Sequence, residues 1–207
     1  MRASTGKVGP LVKHRAGAWL LALVLLAPFA AAAGHTRLAA AAEAQVGVTL
    51  HYDPAYARLD FPGGDVPADR GVCTDVVVRA LRSAVGADLQ ALVHQDMRDA
   101  FHAYPAHWGL RGPDRNIDHR RVPNLETFLQ RRGLALPRSD DPADYRAGDI
   151  VSWRLPNGLP HIGIVARRRG AHGRLLVVHN IGAGARMEDV LFAWPVQGHY
   201  RWPAGEP

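Results

Sequence analysis

The chain contains a single cysteine, and its position suits nucleophilic chemistry. Apolar residues at 76, 77, 80 and 81 recur at helical spacing, so a helix is predicted to begin at or just after Cys73, to run to about Val85 and to stop at Gly86. A thiol at a helix N-terminus faces unpaired backbone N–H groups and the positive end of the helix dipole. Both stabilise a thiolate, so we expect a lowered pKa and a sulfur that attacks carbonyl carbons. The alternative is a small buried core residue.

Two histidines are the candidate partners of this thiol. A cysteine nucleophile needs a base within hydrogen-bond distance and a third group that orients the base. The sequence predicts an antiparallel meander of three strands between residues 149 and 179, in which His161 opens the second strand and His179 closes the third. These two positions are neighbours in an antiparallel pair. We therefore expect Cys73 to act as nucleophile, His161 as base and His179 as orienting residue, with Asn180 as the alternative third member.

A polar segment between the predicted helices is a candidate for substrate binding. Arginine binds carboxylates in a bidentate manner, so this segment is predicted to recognise a carboxylate of the substrate. The alternative is a loop held together by its own ion pairs. The candidate residues are Asp118, His119, Arg120 and Arg121.

The order of predicted elements indicates the fold class. Further helices are expected over Asp88–His102 and from an N-cap at Asn124 to Arg132. Short apolar strands follow Asp149, and a last strand is expected at His199–Trp202. Helices first and strands second predict an α+β fold, with N-terminal helices packed on a C-terminal antiparallel sheet.

These motifs carry a family resemblance. A cysteine at a helix start, then Gly148–Trp153, then His161–Val165 and a strand with a polar end resembles the NlpC-type cysteine peptidases, a circularly permuted branch of the papain-like fold. The resemblance implies Cys73 as nucleophile, His161 as base, His179 as orienting residue, and hydrolysis of an amide, most often in peptidoglycan stem peptides. Those peptidases usually show Asp-Cys-Ser-Gly at the nucleophile, whereas this chain has Val-Cys-Thr-Asp.

A second resemblance covers most of the chain, from about Val46 to Trp202. The stretches Gly-Val-Cys-Thr-Asp, Val-His-Gln-Asp-Met, Asn-Ile-Asp-His-Arg-Arg-Val and His-Asn-Ile-Gly resemble an exported bacterial family whose domain has no known function. A single papain-like cysteine hydrolase domain is accordingly predicted over residues 46–203.

The first residues have the pattern of a secretory signal peptide. A basic lead is followed by an apolar run and by small residues that offer cleavage after Ala33 or as late as residue 44. We therefore predict an exported protein, periplasmic or extracellular, that contacts a membrane only if the leader is retained. Cleavage after Ala33 removes four basic and no acidic residues and lowers the formal charge from +6 to +2. A charge that small gives no reason to expect a nucleic-acid partner.

The function predicted from these features is an exported cysteine amidase or endopeptidase that needs no cofactor. Peptidoglycan, or another envelope polymer with amide bonds, is the expected substrate. Two other classes stay open: a non-catalytic envelope module that binds peptidoglycan, and a metal hydrolase with His161, His179, His119 and an aspartate as ligands. The sequence has no His-Glu-x-x-His motif and only one cysteine, so no metal site is predicted.

Overall fold

The computed structural model describes Met1 and residues 34–203. The predicted signal peptide lies almost entirely outside the described residues. Four helices precede most of the sheet. Their bounds are residues 34–43 (α1), Cys73–Val85 (α2), Leu89–Ala100 (α3) and Val122–Arg131 (α4). Short 3-10 turns lie at Phe101–Ala103, Asp118–Arg120 and Pro142–Asp144.

In the described part of the chain, eight strands form two sheets. A parallel pair of two-residue strands joins His51–Tyr52 (β1) to Arg70–Gly71 (β2). The main sheet is antiparallel and has the order β3-β8-β4-β5-β6-β7. Its strands are Ala135–Leu136 (β3), Ile150–Arg154 (β4), Pro160–Arg169 (β5), Leu175–His179 (β6), Arg186–Glu188 (β7) and Val196–Tyr200 (β8). The predicted α+β class and the predicted meander, here β4-β5-β6, are confirmed.

Helix α2 packs on the centre of the main sheet. Its buried side chains, among them Val77 and Leu81, join Ile162 and Ile164 of β5 in the larger hydrophobic core. The opposite face of the sheet is covered by a second cluster around Trp153 and Leu191. A cysteine-bearing helix thus lies against an antiparallel sheet that carries His161, which is the papain-like arrangement that the resemblance implies.

The helix boundaries lie within three residues of the predicted ones. Helix α3 ends at Ala100 rather than His102, because a 3-10 turn follows it, and α4 ends at Arg131 rather than Arg132. Helix α2 ends as predicted, because Gly86 adopts the left-handed conformation (φ 73°) and closes the last turn by bonding to the carbonyl of Arg82. Helix α4 begins three residues earlier than predicted, with its N-cap at Arg121 rather than Asn124. Asn124 is not an N-cap; it is buried inside the first turn, where its amide donates to the carbonyl of Asp118.

The packed unit begins before residue 46. Leu38 and Ala42 of α1 are buried in the larger core, and Glu43 forms an ion pair with Arg167 on β5. His35 contacts the carbonyl of Trp202 at 3.0 Å through its ring nitrogen. Within residues 34–44, which the later predicted cleavage would remove, Leu38 and Ala42 therefore contribute to the core of this fold.

Candidate active site

Cys73 is the first residue of α2, and nearby backbone N–H groups and the side chain of Asp75 determine its environment. Val72, in extended conformation, precedes the helix, and its N–H donates to Oδ2 of Asp75 at 2.6 Å. The thiol is 6% exposed. Burial raises the pKa of Cys73 to about 12, although the N–H groups of Ile162 and Thr74 bond to the sulfur and act in the opposite direction.

The expected low thiol pKa is therefore wrong for the resting protein. The helix N-terminus does favour a thiolate, but the free energy of removing a charged sulfur from water is larger, and the nearby Asp75 carboxylate adds repulsion. Cys73 therefore rests as a neutral thiol, which would have to lose its proton to act as a nucleophile.

His161 and His179 meet as the strand pattern predicted. Nε2 of His161 lies 2.9 Å from Nδ1 of His179, and both rings are buried. Gly163 on β5 permits this approach, because a Cβ there would lie 2.8 Å from Val177 and 3.1 Å from Cβ of His179. His179 contacts Nε2 of His161, so Nδ1 is the other nitrogen of that ring.

Aromatic side chains fix the imidazole of His161. The indole of Trp153 lies 5.9 Å away between ring centroids, and the indole of Trp194 stands edge-on at 5.7 Å. Burial, together with His179, lowers the pKa of His161 to about 3, so the ring is neutral at physiological pH. A neutral imidazole can accept the proton of a neutral thiol.

Asn180, the alternative third member, has a different contact. Its side-chain amide donates to the carbonyl of Gly71 at 2.9 Å. Asn180 therefore ties the end of β6 to the backbone two residues before Cys73, and the residue in contact with His161 is His179.

The four candidates for substrate binding have different positions. Asp118 and His119 are buried, and burial lowers the pKa of His119 to about 4. Arg120 forms a buried ion pair with Asp75 at 2.9 Å, as the alternative of a self-paired loop predicts. Arg121 bonds to Asp118 through one nitrogen at 3.0 Å and lies over the ring of Trp108 at 4.0 Å. Arg120 and Arg121 line a cavity next to the thiol.

Two cavities meet at Cys73. The larger has a volume of about 430 Å³ and contains Cys73 and His161 in the same wall as Leu159, Ile181 and Trp194. The smaller, of about 210 Å³, is bounded by a mainly apolar wall to which Arg120 and Arg121 contribute. Cys73 belongs to both, so the sulfur lies at the junction of a two-armed cleft.

Sequence reasoning missed two residues of the site. Tyr52 lines both arms of the cleft, and burial and the neighbouring Cys73 and Asp75 raise the pKa of its hydroxyl. Oε2 of Glu188 lies 2.9 Å from Nε2 of His179. Tyr52 lies in β1, a strand of two residues, which is too short to show an alternating pattern in the sequence. The contact of Glu188 with His179 depends on the register of β6 and β7, which cannot be read from the sequence.

The metal alternative finds no geometric support in the part of the chain that the structure describes. Among residues 34–203, no three His, Cys, Asp or Glu side chains are grouped so as to hold an ion. Within the same residues, none of the helices has the length and apolar character needed to span a bilayer.

Comparison with known proteins defines the family. A model of the domain of unknown function DUF1287 matches residues 39–202. The chain belongs to the DUF1287 family. The uncharacterized protein YijF of Escherichia coli (strain K12) is 60% identical over 170 residues, which cover 81% of this chain and 82% of YijF. The predicted membership of a family of unknown function is thereby confirmed.

Solved structures similar to this DUF1287 chain include two NlpC proteins of Trichomonas vaginalis. NlpC1 and NlpC2 each match 83% of the chain with 14% identity and a TM-score of 0.43. The chain spans 45% of the length of the first and 48% of the second.

Proposed function

We propose that this chain is an exported cysteine amidase or endopeptidase that cleaves peptidoglycan stem peptides. One observation carries the proposal: the sole thiol and His161 line the same cavity, and His161 is bonded to a second buried histidine. A nucleophile, a base and an orienting group are the components that acyl transfer through a covalent intermediate needs.

The chemistry starts from neutral partners. As Sγ of Cys73 bonds to the carbonyl carbon, its proton passes to Nδ1 of His161, and negative charge develops on the carbonyl oxygen. Backbone N–H groups at the start of α2 stabilise that oxyanion. His161 then protonates the leaving nitrogen, the C–N bond breaks, and a thioester remains on Cys73. Water, deprotonated by His161, hydrolyses the thioester, and the proton returns to the sulfur.

The shape and charge of the cleft support a peptide substrate with a carboxylate. Two arms extend from Cys73, so a chain can lie across the sulfur with one segment in each. Stem peptides carry free carboxylates, and the guanidinium of Arg121 is held at the wall of the smaller arm by Asp118 and Trp108. The apolar run and small residues before residue 34 place the protein, in this proposal, where peptidoglycan is found.

The test is incubation of residues 34–207 with purified peptidoglycan, followed by mass analysis of the released fragments. We expect fragments with new amino and carboxyl termini, which identify the bond cleaved. Cys73→Ala should release none, because the variant has no nucleophile, while its circular dichroism should match the parent. Arg121→Gln should raise KM more than it lowers kcat if the arginine binds a substrate carboxylate.

Three outcomes would contradict the proposal. Release of the same amount of fragments by Cys73→Ala would show that Cys73 is not the nucleophile. Inhibition by a chelator but not by iodoacetamide would indicate a metal hydrolase. Sedimentation with peptidoglycan without any released fragment would indicate a binding module.

A further inference from the structure

Four functional groups lie at the site, and one of them is a carboxylate. His161 and His179 have facing nitrogens 2.9 Å apart, and Oε2 of Glu188 lies 2.9 Å from Nε2 of His179. Cys73, the fourth group, lines the same cavity as His161. Glu188 was not among the predicted site residues and has no part in the mechanism above.

Strand pairing directs Glu188 towards His179. In the antiparallel pair of β6 and β7, Val177 lies opposite Glu188 and His179 lies opposite Arg186. Because side chains alternate along a strand, Glu188 and His179 project from the same face and are diagonal neighbours, within reach of a long side chain. The carboxylate is 42% exposed, whereas His179 is buried, so Glu188 lies between the histidine pair and solvent.

The carboxylate determines which nitrogen of His179 carries a proton. Oε2 lies off the direction of the ring N–H, so the contact is electrostatic more than an aligned hydrogen bond. A ring lone pair 2.9 Å from a carboxylate oxygen would be repelled, which favours protonation at Nε2. Nδ1 of His179 is then the acceptor, so His161 must donate from its own Nε2. Nδ1 of His161 is left as a lone pair, the form that can take the proton of the thiol.

We propose that Glu188 is a positioning residue that fixes the tautomers of His179 and His161 so that Nδ1 of His161 is the base for Cys73. The inference rests on the proposed function, and it adds a fourth residue to Cys73, His161 and His179. Glu188 itself touches neither the thiol nor the substrate. Without it, His179 can hold its proton on Nδ1 and donate to His161, which turns Nδ1 of His161 into a protonated atom that cannot act as base.

The test measures tautomers directly, by ¹⁵N NMR of the imidazole nitrogens in the folded chain at pH 7.5. His161→Gln and His179→Gln supply the assignments. We expect both rings to be protonated at Nε2 in the parent chain, and Glu188→Ala to populate the Nδ1-protonated forms. Glu188→Gln should keep the parent tautomers better than Glu188→Ala, because the amide oxygen retains a partial negative charge near Nε2 of His179. The matched control is Asp189→Asn, since Asp189 is the adjacent acid on the chain and pairs with Arg174.

Activity gives an independent readout. With a substrate found by the peptidoglycan assay, Glu188→Ala should lower kcat by roughly 10- to 100-fold with little change in KM, the size of loss seen when a group that orients a functional histidine is removed. Glu188→Gln should recover most of it. His179 protonated at Nδ1 in the parent, or identical tautomers in parent and Glu188→Ala, would overturn the inference. Absence of turnover by the parent, with the expected tautomers, would reject the amidase and leave the positioning role of Glu188 intact.

Discussion

At the scale of single residues, the site combines a thiol and an imidazole that both rest uncharged. Burial raises the pKa of Cys73 to about 12 and lowers that of His161 to about 3. In an ion pair the two values would move in the opposite directions. In the proposed reaction, the thiolate would therefore have to be created by proton transfer during attack.

This resting state predicts how Cys73 reacts with a small alkylating agent. Because only the thiolate reacts, the rate of modification by iodoacetamide should rise about tenfold per pH unit from pH 6 to 9 without a plateau. The measurement is the pseudo-first-order rate followed by mass spectrometry, with glutathione as the control, whose rate begins to level near its own pKa. A plateau below pH 7 would mean that the protein does stabilise the thiolate.

At the scale of elements, the start of α2 is held by a neighbouring turn. Asp75 accepts from the N–H of Val72 and pairs with Arg120 through both carboxylate oxygens, each at 2.9 Å. Arg120 also donates to the carbonyls of Asp53 and Ala55, which follow β1. The turn at residues 118–120 thereby fixes the first turn of the cysteine helix to the segment that carries Tyr52.

Removing one partner of this buried pair should destabilise the protein. Arg120→Met leaves the carboxylate of Asp75 buried without its cation, so we expect the free energy of unfolding to fall by about 3–5 kcal/mol. Urea denaturation checks this value. The control is Arg131→Met, which breaks the more exposed pair with Asp96 and should have a much smaller effect. A loss as small as that of the control would show that the Asp75–Arg120 pair is not an anchor of α2.

At the scale of the whole molecule, buried histidines make the fold sensitive to acid. Burial lowers the pKa of His161 to about 3 and that of His119 to about 4, and it also lowers the pKa of His179. In the unfolded chain these groups titrate near 6.5, so the unfolded state binds more protons as pH falls below that value.

Stability should therefore decrease as pH falls from about 6.5 towards 4. Each of these histidines contributes a loss of at most about 1.4 kcal/mol per pH unit within the window. Unfolding free energies from urea titrations at pH 7.5, 6 and 5 measure the slope. His119→Gln should reduce it, because one group that protonates only on unfolding is removed. Equal stability at pH 7.5 and 5 would contradict the assignment of neutral buried histidines.

Features that depend on local periodicity could be predicted from the sequence. The start of the cysteine helix at Cys73, its end at Gly86 and the three-strand meander follow from apolar spacing and turn residues. The contact between His161 and His179 could also be predicted. Once the ends of two adjacent antiparallel strands are known, the start of the first strand lies beside the end of the second.

The protonation states and the contacts of the site residues depend on tertiary packing. The raised pKa of Cys73 depends on how completely α2 and β5 exclude water, which no local pattern states. Arg120 pairs with Asp75, which is 45 positions away in the sequence. The adjacent Arg121 bonds to Asp118 instead. Glu188 reaches His179 only through the register of β6 and β7. Burial, charge pairing and register are properties of packed elements. The sequence could therefore indicate the candidate nucleophile and base, but not their protonation states or the contact of Glu188 with His179.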